Sequence, residues 1–215
     1  MVNITYIYHS CFVVSTDDCL LVYDYWHDPE NLLPAFLDEA EREEKAVYFV
    51  VSHFHEDHYN PIVAEWCEQR KGDGWYLLPS YDTVKRRKID KSLPFAVLRF
   101  GETVETPYFK LKSYRSTDVG VCTVATLNDG TTVCHAGDCN NWYFPSSSAA
   151  ASDRVKVSPE EMEKLFLSIV RDIAADYPRL NHLMFPVDHR LGQQMLRGLF
   201  QFLQRIDVAE VHPMH

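Results

Sequence analysis

The sequence predicts an α/β protein in which two sheets are covered by helices, and three observations carry that expectation. Ala46–Val51 is a continuous apolar run of strand length, the pattern of a strand buried on both faces. Strand patterns come in runs, with helical patterns interspersed, as in layered sheets and unlike a helical bundle. Ser158-Pro159-Glu160-Glu161 combines an N-cap, a proline at the first helical position and a capping-box glutamate, and opens a helix expected to run to about residue 177.

The elements follow in order. Residues 5–9 and Cys11–Ser15 are apolar, β-branched or aromatic, and Asp17-Asp18 turns the chain into a third strand over 19–25, an opening meander. Residues 30–44 carry Leu33, Phe36, Leu37 and Ala40 at helical spacing opposite a charged face. After the buried strand, 61–70 reads as a helix with Pro61 in its first turn and Gly72 beyond its end. Further strands are expected at 75–78, 96–100, 109–114, 119–127 and 131–135, the last two joined through the hairpin signal Asn128-Asp129-Gly130. The small, polar stretch 146–152 reads as a loop. A short strand at 182–185, a last helix near 191–205 and a terminal strand at 208–211 complete the pattern. No repeat or linker divides the chain, so a single domain over 1–215 is expected.

Composition narrows the partners. The net charge is −10, which argues against gripping a phosphate backbone. The exception, Lys85-Arg86-Arg87-Lys88, reads as a solvated helix end or loop, or alternatively as a contact for an anionic substrate. The six cysteines are scattered, without a C-x-x-C pair. The first residues lack the charged region of a signal peptide, and no stretch approaches the ~20 apolar residues of a membrane span. A cytoplasmic protein with reduced thiols and a small-molecule substrate is expected, with no nucleic-acid partner and no membrane; a homo-oligomer is allowed.

The chemistry concentrates after the buried strand, in Ser52-His53-Phe54-His55-Glu56-Asp57-His58. Extended backbone alternates faces, so His53, His55 and Asp57 are expected to point the same way, with His58 swung alongside Asp57 by the following turn. Three imidazoles and a carboxylate so close together are costly at a sheet edge unless something binds them, and zinc, iron and manganese accept these ligands. A second element, His135-Ala136-Gly137-Asp138, puts a carboxylate at a strand end beside a glycine that permits close backbone approach. The third is the terminal His215.

These three elements, in this order, resemble the metallo-β-lactamase superfamily, whose H-x-H-x-D-H signature is matched by His53 to His58. Tyr8-His9-Ser10-Cys11-Phe12 is similar to the G-H-S-x-F opening of the branch that includes ascorbate-phosphate lactonases, with Tyr8 in place of the glycine. Asp24-Tyr25-Trp26 is similar to that branch's D-P-W. Residues 116–121, 135–140 and 213–215 also have counterparts there, so the resemblance runs along essentially the whole chain.

The resemblance implies an αβ/βα four-layer sandwich, two mixed sheets with flanking helices, and a site at one edge of the sheets. It implies two divalent metal ions, zinc foremost with manganese or iron as alternatives, about 3.5–4 Å apart and sharing a hydroxide. On that pattern His53 and His55 hold the first metal, Asp57 and His58 the second, Asp138 bridges both, and His215 completes the second. Asp57, His55 and Asp138 are the catalytic candidates, and Asp57 can accept the proton of the incoming water. Many members supply a third histidine to the first metal; here Asp118 is the substitute, or else caps a strand start. His9, Asp188, His189 and Trp142 are candidates for orienting ligands or touching substrate.

The activity implied is hydrolysis of an ester, lactone or phosphodiester bond in a small anionic metabolite. Two alternatives stand beside it: a metal-dependent nuclease, which the acidic balance disfavours, and a metal- or ligand-binding protein without turnover.

Overall fold

The computed structural model describes residues 2–144 and 157–215. A five-stranded sheet has the order β1 (Asn3–Tyr8), β2 (Cys11–Ser15), β3 (Cys19–Tyr23), β4 (Ala46–Val51), β5 (Trp75–Pro79). A six-stranded sheet runs, from one edge to the other, β11 (Asp207–Met214), β10 (Arg179–Pro186), β9 (Thr132–His135), β8 (Val121–Leu127), β7 (Phe109–Arg115), β6 (Thr103–Glu105). Both sheets are mixed: β3, β4 and β5 are parallel, as are β9, β10 and β11, and the remaining neighbours are antiparallel.

Parallel neighbours need a crossover, and the helices supply it. α1 (Leu33–Arg42) links β3 to β4 and α2 (Ile62–Gln69) links β4 to β5. α3 (Tyr81–Arg87) follows β5, while α4 (Pro159–Asp176) and α5 (Arg197–Leu203) precede β10 and β11. The Ser158 capping box forms as the sequence expects, with Ser158 Oγ accepting from Glu161 N and Glu161 reaching back to Ser158 N.

Strand alternation builds the layers. On β2, β3 and β4 one set of side chains (Phe12, Val14, Leu21, Tyr23, Tyr48, Val50) enters the core between the sheets. The alternate set (Cys11, Val13, Leu20, Val22, Val47, Phe49, Val51) packs beneath Leu33 and Ala40 of α1 and Val63 and Cys67 of α2. Ala46–Val51 is buried along its whole length because it serves both layers. Phe185 of β10 meets Phe166 of α4 and Phe202 of α5 on the far side of the second sheet. The result is helix, sheet, sheet, helix, the architecture expected from the sequence.

Several local expectations need correction. Residues 96–100 do not form a strand; they follow β5 through isolated bridges at Phe95 and Leu98, and Phe100 turns into solvent. α3 and β6 were not expected, being shorter than the periodicity a pattern needs. The helix expected over 191–205 is broken at Gly192, whose φ of 55° and ψ of −124° are not helical, leaving a 3-10 segment His189–Gln194 ahead of α5. The third strand ends at Tyr23 because Asp24 takes a left-handed φ of 44°. The last two strands are longer than their apolar runs, since backbone pairing continues past the buried residues. The loop expected at 146–152 lies outside the described residues.

All six cysteines are buried and unpaired, Cys11 and Cys139 beside the rim included. Among the described residues no helix is long and apolar enough to cross a membrane.

Candidate metal centre

Strand register brings the sequence motifs to one rim. Tyr23 pairs with Phe12 and Val50, His135 with Thr123 and Met184, and Pro186 with Met214. The carboxyl ends of β3, β4, β9, β10 and β11 therefore open together with the β1–β2 turn and the β7–β8 connection. Carboxyl ends of parallel strands are where sheets of this kind gather their ligands.

His53 leaves β4 fully buried, and His55 is still extended (φ −62°, ψ 153°). A 3-10 turn at Glu56–His58 then ends the alternation. The turn carries Asp57 away to His9, where Asp57 Oδ2 lies 3.3 Å from His9 Nε2. It swings His58 back over His53, with ring centroids 4.0 Å apart, and not alongside Asp57 as expected. The hydrogen bond from His9 holds the Asp57 carboxyl well below the ordinary range. Arg87 Nε donates to the Phe54 carbonyl at 2.8 Å, between the two histidines, and the Arg86 guanidinium lies 5.5 Å over the Phe54 ring. The basic run is thus a helix end, and it grips the histidine loop.

Behind these imidazoles lies Asp24, a buried carboxylate that no local sequence pattern marks as a site residue. Its Oδ1 accepts from Ser52 N at 2.7 Å, and its Oδ2 takes Ser52 Oγ at 2.6 Å and His58 Nδ1 at 2.8 Å. Because Ser52 Oγ spends its proton on Asp24, it must accept from His53 Nδ1, 2.9 Å away. The network thereby assigns Nδ1–H to both histidines and turns each Nε2 toward the rim. Burial works against the charge on Asp24, but the bonded His58 and nearby His135 outweigh it and keep the carboxyl below its usual value. His135 is occupied at both nitrogens, donating from Nε2 to Ser10 O at 2.8 Å and accepting at Nδ1 from Gly137 N at 3.2 Å, and it stacks on Tyr23. The only sequence signal for Asp24 was its place in Asp-Tyr-Trp at a strand end.

Two glycines let the loops close. A Cβ on Gly137 (φ 53°) would lie 2.8 Å from Ser52 Cβ, and one on Gly120 (φ 79°) would lie 2.1 Å from Ser52 O and 2.5 Å from His53 Cβ. Gly137 brings Asp138 to the middle of the cluster: Oδ1 is 3.2 Å from His58 Nε2 and 3.5 Å from His215 Nε2, and Oδ2 is 3.7 Å from His53 Nε2. Asp118, from the β7–β8 connection, stands 3.5 Å from His55 Nδ1.

On the other side, the His215 amide donates to His9 O at 3.1 Å, and His215 Nδ1 meets Asp188 Oδ2 at 3.1 Å. Asp188 backs His215 as Asp24 backs His58, and is itself held by Arg190 through the backbone N–H and the guanidinium. Trp142 Nε1 donates to the Asp138 carbonyl at 2.9 Å, and its ring lies 5.6 Å from His215, walling that side. His189 is not drawn in; its exposed ring comes no closer than 4.0 Å to Asp188.

Beside the overlapping buried group Asp24, His53 and His58, whose carboxylate is taken up by hydrogen bonds, the potential ligand atoms at the rim form two neighbouring sets, each within 4.8 Å: His53, His55, Asp118 and Asp138, and His9, His58 and His215. Asp57 belongs to neither set and reaches them through His9. Burial pushes His53 down to about 3, with His58 adding to the effect, so it is neutral. Burial would also lower His58, but the carboxylates of Asp138 and Asp24 override it and hold His58 well above an ordinary imidazole. Burial and the facing Asp138 raise Asp118. The fit to divalent cations rests on atoms without hydrogen bonds: His53 Nε2, His58 Nε2 and Asp138 Oδ1 are all buried, face one another at ion-pair distances, and none has a hydrogen-bonding partner among the described residues. Buried polar atoms left so are rare and costly, and imidazole nitrogen with carboxylate oxygen is a zinc, iron or manganese donor set.

No family model matches the chain, and no curated protein matches it. Solved structures do. The metallo hydrolase Igni18 from the archaeon Ignicoccus hospitalis superimposes with a TM-score of 0.65 at 17% identity, over 100% of this chain and 82% of that one. The metallo-β-lactamase fold protein YhfI from Bacillus subtilis gives 0.56 at 12% identity, over 100% and 85%. CmlA, a diiron β-hydroxylase from Streptomyces venezuelae, gives 0.62 at 13% identity over 99% of this chain; the chain spans only 44% of CmlA. At such identities the likeness is one of fold: the chain has the metallo-β-lactamase fold.

Proposed function

We propose that the rim holds a pair of divalent cations and that the chain is a metal-dependent hydrolase, acting on an ester, lactone or phosphodiester bond of a small anionic metabolite. The observation that carries this reading is the convergence of the His53, His58 and Asp138 atoms without hydrogen bonds, with both histidine tautomers set from behind by Asp24. His53, His55, Asp118 and Asp138 would hold one cation, and His58 and His215 the other, with Asp138 between them. Bound there, the cations would lower the pKa of a water toward neutrality and hold the oxygen charge that develops in hydrolysis.

The protein's own groups supply the rest. Asp57, partly exposed, accepts the proton of the attacking water at Oδ1, while His9 holds Oδ2 and aims the carboxylate. Trp142 keeps water from the His215 side of the centre. Arg86, over Phe54 in the histidine loop, would add positive charge for an anionic substrate despite the net charge of −10, whereas Arg190 is paired with Asp188. Igni18, a metallo hydrolase on the same fold, is consistent with this assignment. Within it, the Tyr8–Phe12 and Asp24–Trp26 motifs favour the branch resembling ascorbate-phosphate lactonases.

The test is metal quantification together with turnover of a lactone and phosphodiester panel. About two equivalents of metal, with turnover lost on chelation and restored on reloading, are expected. Full loading without turnover on a broad panel would overturn the hydrolase reading. A second reading has one observation in its favour: Asp118 makes the first set half carboxylate, a donor balance that suits iron, and CmlA is a diiron protein on this fold. Iron retained in preference to zinc from mixed medium would favour it.

A further inference from the structure

β10 and β11 pair in parallel with His182 opposite Glu210 and Met184 opposite His212. Residues two apart on a strand share a face, so His182, Glu210 and His212 project to the same side. That side faces the inter-sheet layer: the His212 ring meets Phe12 edge-on, with centroids 6.1 Å apart, while Met184 is buried in the core. The two imidazoles are mostly buried at the open margin of this layer, at 16% and 23% exposure, and Glu210 arches over them from solvent at 64%. His182 Nδ1 lies 3.2 Å from His212 Nε2, and Glu210 Oε2 lies 3.5 Å from the first and 3.9 Å from the second.

We propose that His182, His212 and Glu210 form a further divalent-cation site, separate from the rim centre. The argument is geometric. Ligands bound at about 2.0–2.1 Å around a tetrahedral ion stand about 3.3 Å from one another. The three separations bracket that edge, and the longest is to the exposed carboxylate. Two nitrogens and one oxygen suit zinc, and also copper or nickel, and three donors leave a position for water. The alternative for the same atoms is a plain imidazole–imidazole hydrogen bond, in which Glu210 is an ordinary surface acid.

The two sites share no donor. Glu210 and His212 lie on β11, and His212 is about 10 Å upstream of His215 at strand rise. A cation there cross-links β10 to β11, the strands that lead to Asp188 and His215, so it clamps one wall of the rim without entering it. With three donors, one of them exposed, it binds more weakly than the rim and fills as free metal rises.

The experiment is zinc equilibrium dialysis of the full chain, wild type against H182Q/H212Q and, separately, E210Q, with nitrogen-15 shifts of the histidine rings followed during titration. Wild type is expected to hold one more zinc equivalent at saturation than H182Q/H212Q. E210Q, whose exposed side chain spares the fold, is expected to weaken that equivalent about tenfold or more. The His182 and His212 ring shifts should move with it. The extra equivalent should also survive D138N, which disables the rim, so failure here and failure of the hydrolase reading are separable. Equal zinc content in wild type and both variants, or unmoved ring shifts, would overturn the site and leave a simple hydrogen bond.

Discussion

Asp24 Oδ2 lies 2.8 Å from His58 Nδ1, with both side chains fully buried and the second nitrogen of His58 facing Asp138 across 3.2 Å. One carboxylate behind the imidazole therefore decides which nitrogen is presented to the rim.

Asp24→Asn tests that relationship. The amide keeps the shape but offers N–H toward His58 Nδ1, forcing the imidazole proton onto Nε2, where it blocks the donor. Metal affinity is expected to fall about 10- to 100-fold, read by competition with a chromophoric chelator while circular dichroism checks the fold. Unchanged affinity would remove Asp24 from any role in tautomer selection.

Proton release follows from His58. Its value is raised in the metal-free protein by Asp138 and Asp24 against the opposing effect of burial, so a cation must displace its proton, whereas His53, pushed down to about 3, has none to lose. Apparent metal affinity should fall as pH falls, beginning above the ordinary imidazole range. Stability should carry the opposite sign without metal. A raised imidazole stabilises fully below its unfolded value of about 6.5, and the contribution is lost as pH rises through the folded value. Melting temperatures above about pH 6.5 should then decline with pH in chelator and rise with pH in zinc. Parallel slopes in the two conditions would contradict the assignment.

Asp57 can be separated from the donors. Since it lies in neither ligand set, Asp57→Asn should retain the metal complement and lose about 10²- to 10⁴-fold in kcat, the scale of a lost general base. Metal analysis beside kinetics decides; loss of metal in step with activity would return Asp57 to the ligands.

Gly120→Ala addresses packing. The new Cβ would meet Ser52 O at 2.1 Å in a left-handed conformation, and backbone cannot step aside cheaply. A loss of about 3 kcal/mol or more is expected by chemical denaturation, combining strain and overlap. A loss under about 1 kcal/mol would mean that the β7–β8 connection can shift away from His53.

The layered fold was legible because burial writes itself into a local pattern: the unbroken apolar Ala46–Val51, the alternating β2 and β3, and the Ser158 capping box each occupy a few consecutive residues. The imidazoles and carboxylates that gather after β4 and β9 were legible too, since they stand in two short motifs. Their arrangement depends on contacts between distant parts of the chain. The 3-10 turn at Glu56–His58 breaks the strand alternation, sends Asp57 to His9 and folds His58 over His53. Asp24 and Asp188 gain their roles from partners 34 and 27 positions away, His58 and His215 respectively. Strand periodicity is a property of neighbours along the chain, whereas a tautomer is fixed by whichever carboxylate the register of two sheets brings behind the ring.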